Sequence, residues 1–186
     1  MDKKIFFIAD THFGHGNIIK YENRPFQDIY EMDHVLIENW NKVVNQGDEV
    51  FVLGDFSFYG KDKTKTICGS LKGRKTLIMG NHDTKTPDFY LECGFENVSR
   101  YPIIFNDFWM LSHEPLYING NMPYANIFGH VHSSKVYADY SKQSFCACVE
   151  RTEYTPVEFS RIKILMGISE ENELEGIRMG MDKGFE

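Results

Sequence analysis

The chain has 186 residues, 42% of them hydrophobic and 25% charged, with a formal net charge of −7. That length buries most apolar surface around one core without staples, and the excess of carboxylates argues against a long nucleic-acid groove, which needs clustered Lys and Arg. A small phosphorylated ligand stays open, because a bound metal could neutralise its charge.

No apolar run approaches the roughly 20 residues of a membrane span. The start, "MDKKIFFIAD", reaches Asp10 before an apolar stretch long enough for a signal peptide has formed. A cytoplasmic protein without a membrane partner is expected. The four cysteines, Cys68, Cys93, Cys146 and Cys148, show no CxxC spacing, which suits reduced thiols. "FCACVE" could be a soft-metal CxC site, but it reads better as a buried strand, since free Cys behaves as a small hydrophobe.

In chain order, "KIFFIA" reads as a strand, "YEMDHVLIENWNKVV" as a helix, "EVFVL" as a strand, "KDKTKTICGSL" as a helix and "KTLIM" as a strand. This alternation is that of an α/β sheet with covering helices. The second half changes character. "RYPIIF", "DFWMLS", "ANIF", "KVYAD", "SFCACVE" and "TPVEF" are short strand-like runs joined by Gly, Asn, Pro and Ser, and they predict a second, more antiparallel sheet. "SRIKILMGISEENELEG" then predicts a terminal helix. With no repeat or linker to divide the chain, one domain is expected over residues 1–170, followed by an acidic tail, 171–186, helical or frayed at its end.

In α/β sheets ligands gather at the C-terminal ends of strands. The first strand run ends in Asp10 and His12, the second in Gly54 and Asp55, and the third in Gly80, Asn81, His82 and Asp83. "DFWMLSH" ends in His113, and "ANIFGHVH" ends in His130 and His132. Each residue alone has a bland reading as a turn, a cap or a hydrogen-bonded surface group. Their joint occurrence does not, because GNH or GHxH arises by accident in a chain this long only about once in a hundred sequences each. Three of the runs carry a glycine that would let the backbone turn close to whatever is bound.

In order and context these blocks resemble the signature of the calcineurin-like metallophosphoesterases, and the resemblance spans residues 5–132. "CVERTEYTPVEF" is similar to the close of small bacterial and phage members. The resemblance implies an α/β fold, a four-layer α/β/β/α sandwich of two mixed β-sheets flanked by helices, carrying two divalent transition metals. By the same resemblance Asp10, His12 and His132 would hold one ion, Asn81, His113 and His130 the other, and Asp55 would bridge them. A bridging carboxylate makes chemical sense because it has two oxygens, whereas a neutral imidazole has one free lone pair. His130 and His132, two apart in an extended segment, would share a face about 7 Å apart at Cα, a spacing suited to one ring per ion. His82 would contact the phosphate and donate a proton to the leaving oxygen, a task that suits imidazole. Asp83 would orient His82 or favour its charged form, or would cap the helix in "TKTPDFYLECG".

Phosphate-ester hydrolysis needs an activated nucleophile, charge neutralisation and a proton for the leaving alcohol; a metal pair supplies the first two. Mixed imidazole, carboxylate and amide ligands suit Mn, Fe, Zn, Co or Ni better than calcium, and two such ions, Mn first, are the expected cofactors. Asp48 precedes "EVFVL" and belongs to the wrong end of that strand, so it is read as a turn. Around the signature, His15, Asn17 and Arg24 are candidates for substrate contact, Arg24 as a fork onto phosphate with a surface salt bridge as the alternative. Tyr117 and Tyr124 lie in "LYINGNMPYAN", which has the composition of an adaptable rim. His34, Met32 and Trp40 belong to a helix face.

The expected function is a phosphodiesterase acting on small nucleotide-like substrates. A phosphomonoesterase or protein phosphatase of the same fold is the near alternative, and a catalytically idle scaffold is the distant one.

Overall fold

A computed structural model describes residues 3–119, 121, 124–135, 143–169, 173, 174, 176 and 177. Strands β1 (Ile5–Ile8), β2 (Glu49–Val52), β3 (Arg74–Ile78) and β4 (Asn97–Ser99) run parallel, and β9 (Val157–Glu158) pairs antiparallel with β1 to give the order β4-β3-β2-β1-β9. A second sheet has the order β5-β6-β7-β8, from β5 (Ile103–Phe105), β6 (Trp109–Leu111), β7 (Ala125–Phe128) and β8 (Ser144–Cys146). Helices α1 (Gly16–Tyr21), α2 (Ile29–Val43), α3 (Lys61–Ser70) and α4 (Pro87–Cys93) lie to one side, and α5 (Phe159–Met166) lies to the other. The fold is therefore α/β, two mixed sheets flanked by helices.

Strand periodicity explains the layering. Successive side chains leave a strand on opposite faces, so Phe6, Ile8, Val50, Val52 and Leu77 pack with α2 residues Met32, Leu36 and Trp40, while Phe7, Phe51, Leu53 and Ile78 face the second sheet's Trp109, Leu111, Ala125 and Ile127. Both faces are covered, which is why these strands read as continuous apolar runs rather than alternating ones. Helix α2 buries residues four apart and starts at Asp28, whose side chain accepts the Tyr30 and Glu31 N–H groups, an N-cap worth about 1 kcal/mol. On the far side Phe159 wedges between the sheets, its ring 5.6 Å from Phe7 and 5.0 Å from Trp109.

Several expectations need correction. Among the described residues the second sheet is mostly parallel: β5 alone pairs antiparallel, with β6, whereas β6, β7 and β8 are parallel neighbours. Long connections between them permit parallel pairing, and apolar run length carries no strand direction. "TPVEF" supplies β9, which joins the first sheet rather than the second. Helix α1 and strand β4 were not anticipated, and α5 stops at Gly167, in left-handed conformation at φ 67°, well short of the expected span. Most of "KVYAD" and of the tail at 171–186 lies outside the described residues. Among those described, no helix is long and apolar enough to cross a membrane.

Candidate metal centre

Because β1, β2 and β3 are parallel, their C-terminal ends share one edge of the first sheet; β6 and β7 are parallel too and deliver their ends together. The sheets meet there. Ala9 donates to the Ala147 carbonyl at 2.9 Å, and Ala147 donates to that of Phe128 at 2.7 Å. Beyond the strands the loops continue the pairing, Asp10 N–H to the Gly54 carbonyl and His12 N–H to that of Asp55.

Two clusters result. In one, His132 Nε2 lies 3.5 Å and His12 Nε2 3.9 Å from Asp10 Oδ1. In the other, Asn81 Oδ1 lies 2.9 Å from His113 Nε2 and 3.0 Å from His130 Nδ1, and the two ring nitrogens are 3.1 Å apart. Asp55 Oδ2 sits between them, 3.5 Å from His12 Nε2 and 3.6 Å from His113 Nε2. A single carboxylate oxygen thus faces both clusters, while Oδ1 accepts the His82 N–H at 2.8 Å; the expected division of two oxygens between two ions is not the arrangement found.

The backbone is strained where these donors emerge. Asp10, His12, Asp55, His130 and His132 all have positive φ, from 47° to 71°. Non-glycine residues adopt this region at a cost that persists only where the surroundings enforce it, and such strain collects at functional sites. The segment carrying His130 and His132 is accordingly not extended. The two rings enter different clusters from a backbone that is left-handed at both residues, φ 71° and 47°, and not from one shared face of an extended strand.

The glycines act differently from the expectation as well. A Cβ on Gly54 would collide with the His113 imidazole, and one on Gly80 with the Asp55 carboxylate. They make room for neighbouring donors rather than for a ligand's approach.

Residues behind the donors fix their tautomers. His113 Nδ1–H donates to the Leu53 carbonyl at 2.8 Å, which leaves Nε2 as a lone pair facing Asn81 and Asp55. His132 Nδ1–H donates to Glu150 Oε1 at 3.0 Å. His12 Nδ1 lies 3.2 Å from His15 Nδ1; a ligating Nε2 requires the proton on Nδ1, which His15 then accepts. Such outer partners orient imidazole ligands and raise their basicity. Asp10 Oδ2 accepts from the His130 N–H at 2.8 Å and from the Cys148 thiol at 3.2 Å.

What remains unsatisfied identifies the missing partner. Asp10 Oδ1 and His12 Nε2 are buried without a hydrogen-bond partner among the described residues, an arrangement that costs free energy unless a cation fills it. Burial pushes Asp10 up to about 6, against the pull of His113 and His132, and burial followed by the charges of His132 and Arg24 drives His12 far below the usual histidine range. Neutral imidazole is the ligating form. For His132, burial would lower its pKa, but the Glu150 hydrogen bond and the Asp10 charge outweigh it and hold it above the usual value. Asp10, His12 and His132, and likewise Asp10, Asp55 and His113, present donor atoms within 4.8 Å of one another. Oxygen and imidazole donors of this kind fit a divalent transition metal.

Other candidates fall out differently. His82 is exposed, and its ring has no hydrogen-bond partner among the described residues; it lies 5.6 Å from the His12 ring. Asp83 neither bonds to that ring nor caps α4, whose cap is Thr86 Oγ1. It is buried and accepts from the N–H groups of Asp55 at 2.7 Å, Gly80 at 2.9 Å and Phe56 at 3.1 Å, clamping two site loops together. Arg24 is neither a phosphate fork nor a surface ion pair. Its guanidinium is buried and donates to the Asp10 and Thr11 carbonyls at 2.7 and 3.0 Å and to Glu150 at 2.6 Å. His15 is beside His12, whereas Asn17 is exposed on α1, its side chain without a hydrogen bond among the described residues. Asp48 accepts the Asn45 and Lys4 N–H groups in a turn remote from the site. Cys148 forms a bridge with Ala9 and is buried. Glu150 was missed; the signal available was one carboxylate closing the apolar run "SFCACV".

The family model described as calcineurin-like phosphoesterase matches residues 3–167. The uncharacterized protein MJ1445 of Methanocaldococcus jannaschii is 35% identical over 173 residues, 86% of this chain and 89% of that protein. The gene 66 protein of Mycobacterium phage L5 is 36% identical over 84 residues, 44% of this chain and 40% of its own length. The crystal structure of the protein of unknown function AQ665 from Aquifex aeolicus superimposes with a TM-score of 0.72 at 28% identity, covering 88% of this chain and all of that one. With a match that contains every donor of both clusters, the chain belongs to the calcineurin-like phosphoesterase family, which implies a metal-dependent phosphoester hydrolase.

Proposed function

We propose that the protein is a binuclear metal-dependent phosphodiesterase acting on small nucleotide-like esters, with manganese as its first metal. The observation that carries this reading is the position of Asp55 Oδ2, 3.5 Å from His12 Nε2 and 3.6 Å from His113 Nε2, between two sets of donors. Asp10, His12 and His132 would hold one ion, Asn81, His113 and His130 the other, and Asp55 both. When bound, two such ions neutralise charge on the phosphoryl oxygens and supply an ionised water near neutral pH.

The chain's own groups do the rest. Glu150 and Leu53 hold the protons of His132 and His113 away from the site. Asp83 locks the Asp55 and Asn81 loops in register. His82 has a ring free of hydrogen bonds among the described residues and donates the proton that the leaving oxygen needs.

The test is to strip the protein with EDTA, reload it with manganese, count ions per chain by elemental analysis, and assay bis(p-nitrophenyl) phosphate beside p-nitrophenyl phosphate. Two ions and faster diester turnover, both lost on chelation, are expected. One ion per chain would sink the binuclear reading, and faster monoester turnover would sink the diester preference. No turnover with any first-row metal would favour an idle scaffold.

A further inference from the structure

Phe58 is an aromatic side chain that the core leaves out. Phe56, two residues earlier, is fully buried, but the Phe58 ring stays 43% exposed. The loop that carries it is not loose. Phe58 N–H donates to the Phe13 carbonyl at 2.9 Å, Ser57 forms a β-bridge with Phe13, and the Tyr59 hydroxyl donates to Asp33 at 2.9 Å. The ring is therefore held in place, stacked on His15 with centroids 3.9 Å apart and planes 19° apart. It lies 5.3 Å from the His12 ring and 5.3 Å from that of His82.

This position decides what Phe58 can touch. His12 belongs to the donor clusters, and in the proposed function His82 is the proton donor on the leaving side of the phosphate. A planar substituent on the leaving oxygen would pass His82 and meet the exposed surface of Phe58. Single exposed aromatics are common on protein surfaces, but this one is held in place beside two histidines of the site, and aromatic rings favour offset stacking on other rings. The metal pair of the proposed function would hold the phosphoryl group, which leaves the base to be held by the chain's own surface. Stacking is the charge-independent way to hold the base.

We propose that Phe58, backed by His15, is a stacking shelf for the nucleobase on the leaving side of the scissile phosphate. This rests on the phosphoesterase reading and adds which part of the substrate is recognised. A Phe58 that merely shielded His12 and His15 from water would affect metal content or turnover equally for all substrates.

Manganese-loaded protein is assayed with thymidylyl-thymidine and with the two versions of it that each lack one base, and with bis(p-nitrophenyl) phosphate as reference. Loss of the leaving-side base is expected to lower kcat/KM about tenfold, and loss of the other base to matter less. Phe58→Leu is expected to erase that tenfold preference at unchanged metal content, and Phe58→Trp to keep it. The shelf is overturned if Phe58→Leu retains the preference. It is equally overturned if the wild type cleaves the reference ester but shows no leaving-side preference or cleaves none of the three dinucleotide substrates. Failure of the wild type on every ester with any first-row metal would instead break the phosphoesterase reading, and the shelf with it.

Discussion

Asp10 and His12, at 0% and 1% exposure, lie in a sealed half of the site; in the other half His113 is just as buried, at 1%, but Asn81 and His130 are exposed and open it outward. The sealed half is backed by side chains: Cys148 on Asp10, His15 on His12, and Glu150 with Arg24 on His132. The open half is backed mainly by backbone, with the Leu53 carbonyl on His113 and glycine clearance around it. Desolvated donors must find polar partners inside the protein or lose stability, so the sealed half is pre-shaped by a buried network. Exposed donors keep water as a partner and need no such network, and theirs is the face that a phosphate can reach.

The largest effect should come from the residue that both halves share. Asp55→Ala is expected to lose metal and turnover together; full occupancy by elemental analysis would show that neither half depends on it. His82→Ala belongs to neither half and should lower kcat by about 10²- to 10⁴-fold at unchanged metal content. Parallel loss of metal would make His82 structural.

Glu150→Gln tests the sealed half alone. It removes the carboxylate that pairs with buried Arg24 and orients His132, so metal affinity should fall about 10- to 100-fold and stability by about 3 kcal/mol. Urea denaturation and metal titration read the two separately. An unchanged urea midpoint would mean that the sealed half does not rest on this pair. Asn81→Ala tests the open half. It should weaken one ion's binding but leave the metal-free melting temperature within about 2 °C, since exposed substitutions cost little. A larger drop would contradict the division drawn here. Asn17→Ala should change neither quantity, and a rise in KM would return it to the substrate path.

Much of this site was legible in one dimension because parallel strands must end on the same edge. Asp10, Asp55 and Asn81 each follow an apolar run, and their convergence follows from β1, β2 and β3 being parallel. Glu150 was not legible, since nothing in "FCACVE" says that its last residue turns toward His132, 18 positions earlier. Arg24 and Asp83 misled for a related reason. Residue type suggests a phosphate fork or a proton-relay partner, but burial and backbone geometry made one a carbonyl clamp and the other a loop clamp. His130 and His132 enter different clusters through left-handed backbone that a two-residue period does not describe.

The sequence by itself determined the inventory: which strands exist in the first half, which donors sit at their ends, and that imidazole, carboxylate and amide are mixed in a ratio suited to transition metals. Those are properties of local pattern and of chemical type. The tertiary structure decided direction and depth: a second sheet that is mostly parallel, β9 returning to the first sheet, one oxygen of Asp55 shared between clusters, and a sealed half set against an open one. These depend on packing between segments distant in sequence, where burial sets the cost of each polar atom and leaves only certain partners within reach.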